Sequence, residues 1–525
     1  MMKKLMNIFY AGLMVCGMSA NTACSEEKFG PDPDKDWAGT TEFFNSVDVA
    51  GFQTYYNPAV GRCGDPMPFY DEKNQEFKVL YLQEYDNNGP CYHPFWGVST
   101  KDGANYQSLG EVIPTGKSIY DADAALGTGC AVYNDADGLY YIYYTGHTSK
   151  EVVLRATSPD FVNWTKDYAW VLNGTDYGYA ASDFRDPQVF KAEDGLWHMV
   201  ISSNLKFAEF KSADLKSWEH VGNFPMVWDR MCECPDIFKM GDYWYMVYSE
   251  GFRAAWSRKV KYMMATSFEG LKSCFYDPGA NWPKDGHEGV LDSRAFYAGK
   301  TASNGQDRYI WGWCPFRTGA SIHDKNINVG AEGEPNWSGA LVCHKIIQHP
   351  DGTLTLGAVP GITAKYDKPQ QVTEVASQGY SNGTLSGDGA YVMFNRLGDS
   401  NHISFKVTTS NNWDKFGVSL VRGSNSTKYY TMVVNPETEN NRKINFEQEG
   451  SEGKGFIEGI DGYWFNRPAD NVYNIDIYTD NSVMVMYIND NVCYTNRIYG
   501  IQKNCWSINN YGGSITVSDV KVLSY

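Results

Sequence analysis

Short runs of alternating apolar and polar residues, many of them rich in aromatics and separated by polar turns, fill most of the chain from Phe77 onward. A period of two sends successive side chains to opposite faces, so these runs predict half-buried β-strands. Phe77 to Tyr85, Leu139 to Tyr144, Leu196 to Ser202, Tyr243 to Ser249 and Tyr309 to Trp313 share a further design, each following a segment such as Gly129 to Tyr133 or Asp292 to Phe296 across a polar turn. A second element recurs behind them. Asp102 precedes Tyr106 by four residues, Asp160 precedes Trp164 and Asp214 precedes Trp218 in the same way, and Glu269 is a looser match. Repeats of several short strands and turns predict five blades of a β-propeller whose inner strands converge on a central funnel. Beyond about Ala364 the alternation continues without that repeat, in runs such as His402 to Val407, Phe416 to Val421, Val472 to Tyr478 and Ser514 to Val522. Many short strands between polar turns predict an antiparallel β-sandwich, of concanavalin-like build. The expected class is all-β, a five-bladed β-propeller over residues 51–363 followed by a C-terminal sandwich over 364–525.

The start of the chain has another pattern. Lys3 and Lys4 precede an apolar run from Leu5 to Met18, small residues and Cys24. A basic start, a short apolar core and small residues before a cysteine read as an export signal over 1–24, and the core is too short to span a bilayer. If the signal is of the bacterial lipoprotein kind, Cys24 is the mature N-terminus and a lipid anchor to a membrane, periplasmic or cell-surface. Asn21 departs from that pattern, so plain secretion with cleavage near Ala23 is the alternative. Residues 25–50, polar and holding prolines, read as a tether and lead-in.

Composition narrows the partners. A formal charge of −17 with no Lys or Arg cluster argues against nucleic acid and anionic membrane surfaces. An aromatic fraction of 15% suits strands and sugar-stacking surfaces, which points to an oligo- or polysaccharide. The cysteines lack the paired spacing of a structural zinc site, and neither a metal nor an organic cofactor is expected.

The candidate chemistry lies at strand entrances. In Phe184-Arg185-Asp186-Pro187-Gln188-Val189-Phe190 an acid and a proline precede apolar positions, and Gly64-Asp65-Pro66-Met67-Pro68-Phe69 repeats the arrangement. Cys232-Glu233-Cys234-Pro235-Asp236 keeps the proline in register and moves the acid one residue earlier. These acids would start the inner strands of blades one, three and four and meet in the funnel; alternatively, they cap turns, as aspartate commonly does. Hydrolysis of a glycosidic bond needs one acid to protonate the leaving oxygen and one carboxylate to attack the sugar or activate water. Like charges raise one another's pKa, so one member stays protonated, and Glu233 has the longer arm and the less polar setting between two cysteines. The sandwich has no such constellation. Tyr463, Trp464 and Phe465 are its candidates for stacking on a glycan or for core packing.

Arg185-Asp186-Pro187 and Glu233-Cys234-Pro235-Asp236 resemble signature blocks of the glycoside hydrolase family 32 β-fructosidases, the invertase, inulinase and levanase type. Trp96-Gly97-Val98, Gly127-Thr128-Gly129, Phe296-Tyr297-Ala298, Trp311-Gly312-Trp313, Trp337-Ser338-Gly339-Ala340, Asp480-Asn481-Ser482-Val483 and Asn496-Arg497-Ile498-Tyr499 follow in family order. The resemblance implies the same propeller and sandwich, and retaining cleavage of β-fructofuranosidic bonds in fructans or sucrose-type sugars. By the same resemblance Asp65 is the nucleophile, Glu233 the general acid/base and Asp186 the group that binds sugar hydroxyls beside Arg185. It also makes Gln83, Trp96 and Trp313 pocket residues. The chain departs from the family at the nucleophile block, where Arg62, Gly64 and Met67 replace a tryptophan and two asparagines. That departure leaves open a propeller glycosidase for an arabinofuranoside or xyloside, and a protein that holds a glycan without cleaving it.

Overall fold

The computed structural model describes residues 52–85, 89–203, 206–225, 232–250, 259–274, 289–293, 295–315, 337–412, 414–422, 428–435, 444–447, 467–498, 501 and 504–525. The leader with Cys24, the tether and Tyr463 to Phe465 lie outside them.

The aromatic runs form the second strands of five successive four-stranded blades. Blade one is β1 (Arg62–Asp71), β2 (Glu76–Glu84), β3 (Phe95–Thr100) and β4 (Gln107–Ile113). Blade two is β5 (Leu126–Asn134), β6 (Leu139–His147), β7 (Glu151–Ser158) and β8 (Thr165–Asn173). Blade three is β9 (Arg185–Lys191), β10 (Trp197–Ser203), β11 (Lys206–Ser212) and β12 (Glu219–Pro225). Blade four is β13 (Cys232–Met240), β14 (Tyr243–Glu250), β15 (Lys259–Ala265) and β16 (Gly289–Val290). Blade five is β17 (Tyr297–Ser303), β18 (Arg308–Pro315), β19 (Gly339–Gln348) and β20 (Leu354–Gly357). The inner strands β1, β5, β9, β13 and β17 neighbour one another in a closed cycle. The ring is fastened where the Leu341 amide N–H donates to the Tyr56 carbonyl at 2.8 Å and Cys63 faces Gly339. Apolar clusters fill the spaces between blades, for example Leu80, Tyr140 and Tyr144 between blades one and two.

The second repeat is a turn device. Thr100, Ser158 and Ser212 each donate a side-chain hydroxyl to Asp102, Asp160 and Asp214. The Oδ1 of each aspartate accepts two amide N–H groups of the turn ahead. These acids cap turns between third and fourth strands; in blade four a short helix, α1 (Phe268–Cys274), stands there instead. Asp65, Asp186 and Glu233 belong to a different class.

Each inner strand carries a one-residue bulge near its start. The register against the second strand slips between Gly64 and Met67, Gly127 and Gly129, Arg185 and Gln188, Glu233 and Asp236, and Tyr297 and Lys300. Asp186, Cys234 and Ala298 occupy the bulges with φ of 59°, 50° and 54°, a left-handed conformation uncommon for residues other than glycine. A bulge adds a residue that the partner strand cannot match, and so re-aims the side chains around it.

In the sandwich the twenty-residue strand Cys505–Ser524 pairs with Thr384–Phe394 on one side, and with Phe416–Arg422 and then Ser400–Thr409 on the other. Its core buries Phe405, Phe416, Tyr473, Met486 and Trp506. The family blocks of this half hold it to the propeller. The buried Asp480 carboxylate accepts the amide N–H groups of Gln53, Thr54 and Tyr55 at 2.6 to 3.1 Å and the Ser400 hydroxyl at 2.8 Å. Arg497, with no exposed surface, donates to the carbonyls of Cys314 and Pro315 at 2.9 and 3.0 Å and to Ser482 Oγ at 2.8 Å.

The segment from Asp292 to Phe296, expected to lead blade five, precedes its inner strand instead. The Asp292 carboxylate turns to the sandwich, where it takes the Thr495 amide and hydroxyl and faces His344 and Cys493. Asp292, His344 and Cys493 bring ligand-type atoms within 4.8 Å of one another. Hydrogen bonds to Thr495 and Tyr487 occupy that group and make it a polar latch between the two halves.

Candidate active site

The bulges arrange ten positions in two tiers around the funnel. Asp65, Thr128, Asp186, Cys234 and Ala298 sit within the bulges; Gly64, Gly127, Arg185, Glu233 and Tyr297 come just before them. The one-residue offset of Glu233 is therefore a change of tier. It lets the glutamate meet its neighbours Arg185 and Tyr297 while Asp65 and Asp186 share the other tier.

Asp65 accepts the Thr128 hydroxyl at Oδ2, 2.7 Å, and the Trp313 indole N–H at Oδ1, 3.0 Å. Burial holds its carboxyl above the ordinary range and the Glu233 charge adds to this, while the two hydrogen bonds oppose it. Asp186 is buried, its amide N–H donates to Thr145 Oγ1 at 2.9 Å, and its carboxylate accepts the Cys234 amide N–H at 2.9 Å. The first of those bonds spans blades two and three, the second blades three and four, and together they fix the strained bulge. Burial raises the Asp186 pKa, Arg185 opposes and Asp65 adds. Glu233 is held between the guanidinium of Arg185 at 3.1 Å and the Tyr297 hydroxyl at 2.9 Å. Its pKa is raised by burial, with Arg185 pulling down and Asp186 pushing up. Each of the three carboxylates thus feels another's charge, as close like charges must. Arg185 also pairs with Asp183 at 2.5 Å and Glu151 at 3.3 Å, and the surrounding acids keep it protonated.

The other expected pocket residues are distributed less evenly. Trp313 is fully buried and reaches Asp65 directly. Gln83 is buried opposite Cys63; its amide nitrogen donates to the Val60 carbonyl at 2.7 Å, and its Oε1 has no hydrogen-bond partner among the described residues. Trp96 lies on the third strand of blade one, opposite Tyr81, and packs against the cluster that contains Tyr55 and Tyr81. Sequence reasoning assigned no role to Thr128, Thr145, Tyr297 or Trp337. Thr128 and Tyr297 stand in the Gly127-Thr128-Gly129 and Phe296-Tyr297-Ala298 blocks, but their bonds to Asp65 and Glu233 cross between blades and leave no mark within either block.

The departure at Arg62, Gly64 and Met67 has a structural counterpart. A Cβ on Gly64 would lie 2.3 Å from the Trp337 ring, so the indole occupies the space a side chain would fill. Trp337 packs with Trp313 and Tyr297, and His93, paired with Glu84, stacks on it at 4.6 Å and 27°. Arg62 donates to Ser338 Oγ at 3.0 Å, and the thioether sulfur of Met67 accepts the Gly129 amide N–H at 3.1 Å. Gly64→Asn is expected to lower stability by about 1–3 kcal/mol through overpacking. In Gly64→Asn with Trp337→Ala that collision is gone. Thermal melts of the two single variants and the double variant check this: if the costs of the singles simply add, the collision is not real.

The propeller-and-sandwich fold agrees with that of related proteins. Residues 56–355 match the model described as Glycosyl hydrolases family 32 N-terminal domain, and residues 352–522 match GH32, BT1760-like, C-terminal domain. A sucrose-6-phosphate hydrolase of Escherichia coli is 26% identical over 57% of this chain and 62% of its own length. One from Zymomonas mobilis subsp. mobilis is 26% identical over 38% of this chain, and only 43% of that relative is spanned. A levanbiose-producing levanase of Bacillus subtilis is 26% identical over 34% of this chain and 35% of its own length. Among solved structures, the exo-inulinase of Aspergillus awamori overlays with a TM-score of 0.66 at 17% identity, covering 90% of this chain and 97% of the other. The sucrose-6-phosphate hydrolase of Lactobacillus gasseri gives 0.67 at 16%, covering 92% and 95%. With more than half its length inside the N-terminal family model, the chain belongs to glycosyl hydrolase family 32.

Proposed function

We propose that this chain hydrolyses β-fructofuranosidic bonds in fructans or sucrose-type sugars with retention of configuration. One observation carries the reading: three carboxylates that feel one another's charge, one held by two neutral donors and one between a cation and a phenol. Asp65, held by the Thr128 hydroxyl and the Trp313 indole N–H, which favour its ionised form against burial, attacks the anomeric carbon as the glycosidic C–O bond breaks. Glu233, which burial favours in its protonated form, gives its proton to the leaving oxygen. The Glu233 carboxylate then takes a proton from water, whose oxygen displaces Asp65 from the sugar. Asp186 and Arg185 bind sugar hydroxyls. The relatives named for sucrose-6-phosphate and levan supply the choice of fructose.

Trp337 in the space beside Gly64 favours a second reading, a retaining glycosidase for another furanoside or for a xyloside. Sugar release from levan, inulin, sucrose and an arabinan by the purified chain separates the two. Fructose supports the first reading, and arabinose without fructose overturns it. No product with glycan still bound would leave a binding protein.

Export with a lipid on Cys24 is proposed from the leader sequence. Membrane fractionation tests it: wild type is expected in the membrane and Cys24→Ala in the soluble fraction, and equal partition rejects the anchor.

A further inference from the structure

The propeller has a second mouth, at the far ends of the inner strands. Parts of β1, β9, β13 and β17 line a cavity of about 540 Å³ there, within the usual range for small-molecule sites, and none of Asp65, Asp186 and Glu233 borders it.

Arg308, the first residue of β18, lies in its wall. Its Nη1 donates to the Thr301 hydroxyl at 2.7 Å, and its guanidinium lies over the Phe238 ring, 3.9 Å from the centroid. Asp236 is the acid whose charge it feels, but the Asp236 Oδ2 is spent on the Thr301 amide and hydroxyl at 2.9 and 2.6 Å. Among the described residues no carboxylate reaches salt-bridge distance of Arg308, and its Nε and Nη2 have no partner. Burial without a close counter-charge pulls its pKa down to about 10. Such a cation is costly to bury unless an anion joins it.

The rim adds Lys191 and Lys239, so that with Arg308 the cations of the lining outnumber its carboxylates, Asp236 and Glu193. The Glu193 carboxylate nearby is already taken by the Trp244 indole at 2.8 Å. Phe238 and Trp244 give the wall apolar surface for a carbon frame.

We propose that this distal mouth is a second ligand site, which takes a small organic carboxylate on the free Nε and Nη2 edge of Arg308. The planar fork of a guanidinium matches a carboxylate with two parallel hydrogen bonds, which a lysine cannot supply.

Calorimetric titration of the full chain with sodium malonate at fixed ionic strength tests this, with sulfate in a parallel arm. The expected result is one malonate site, weakened at least tenfold in both Arg308→Gln and Arg308→Lys and unchanged in Asp65→Asn. Near-UV circular dichroism verifies the fold, and if Arg308→Gln fails to fold, Arg308→Lys reads the same loss. No heat from malonate, equal affinity in Arg308→Lys, loss in Asp65→Asn, or sulfate binding as tightly would each overturn the proposal. The assay uses no sugar substrate, so its outcome is independent of the fructosidase reading.

Discussion

Asp65→Asn and Glu233→Gln are expected to reduce sugar release at least about a thousandfold each, within the range in which positioned acids and bases act. The two should fail differently. Without Glu233 the leaving oxygen receives no proton, so a fructosyl fluoride, whose leaving group needs none, should retain far more activity than sucrose or levan. Without Asp65 no covalent intermediate forms, and both substrates should fail together. Equal residual activity of Glu233→Gln on both substrates would remove Glu233 from the acid role. In the wild type both limbs of the pH profile of kcat/KM should lie above the ordinary carboxylate values of about 3.9 and 4.3, because burial raises Asp65 and Glu233 alike.

The same shifts predict a gain in stability. A carboxyl whose pKa is raised by folding stabilises the native state below its unfolded pKa, and loses that contribution as the pH rises through the folded value. At pH 7, well above its unfolded pKa, the buried Asp65 carboxyl is therefore a burden on the fold. Asp65→Asn should melt above wild type at pH 7, and the difference should shrink as the pH falls toward about 4. An Asp65→Asn protein that is inactive but melts lower at pH 7 would mean that the substitution damages the structure, not only the chemistry.

Arg497→Ala is expected to cost about 3 kcal/mol or more, since it strips hydrogen bonds from the Cys314 and Pro315 carbonyls and from Ser482 in a region closed to water. These bonds join the sandwich to the last propeller blade, so the loss should fall on their union. Propeller and sandwich should then unfold in separate steps, read as two transitions in calorimetry and as earlier proteolysis between the halves. A single transition at the wild-type temperature would show that the Asp480 contacts and the Asp292 latch suffice without Arg497.

This role was not legible in the chain. Asn496-Arg497 and Asp480-Asn481 could be read as family blocks, yet periodicity gives an interface residue and a core residue the same position on a strand. The fivefold repeat, the sandwich that follows it and the convergence of Asp65, Asp186 and Glu233 were legible, because local alternation and repeated spacing act within each blade. Composition and charge, likewise local sums, pointed to a sugar rather than a phosphate backbone. Only the tertiary structure decided which side chains hold those carboxylates. Thr128, Tyr297 and Arg185 reach them from other blades, and the bulges that set the two tiers are a mismatch between paired strands, which no single strand displays. The same holds for Gly64. Its sequence shows a lost amide, while the fold shows Trp337, more than 270 residues later, in the space beside it, because chain closure brings the first and last blades together.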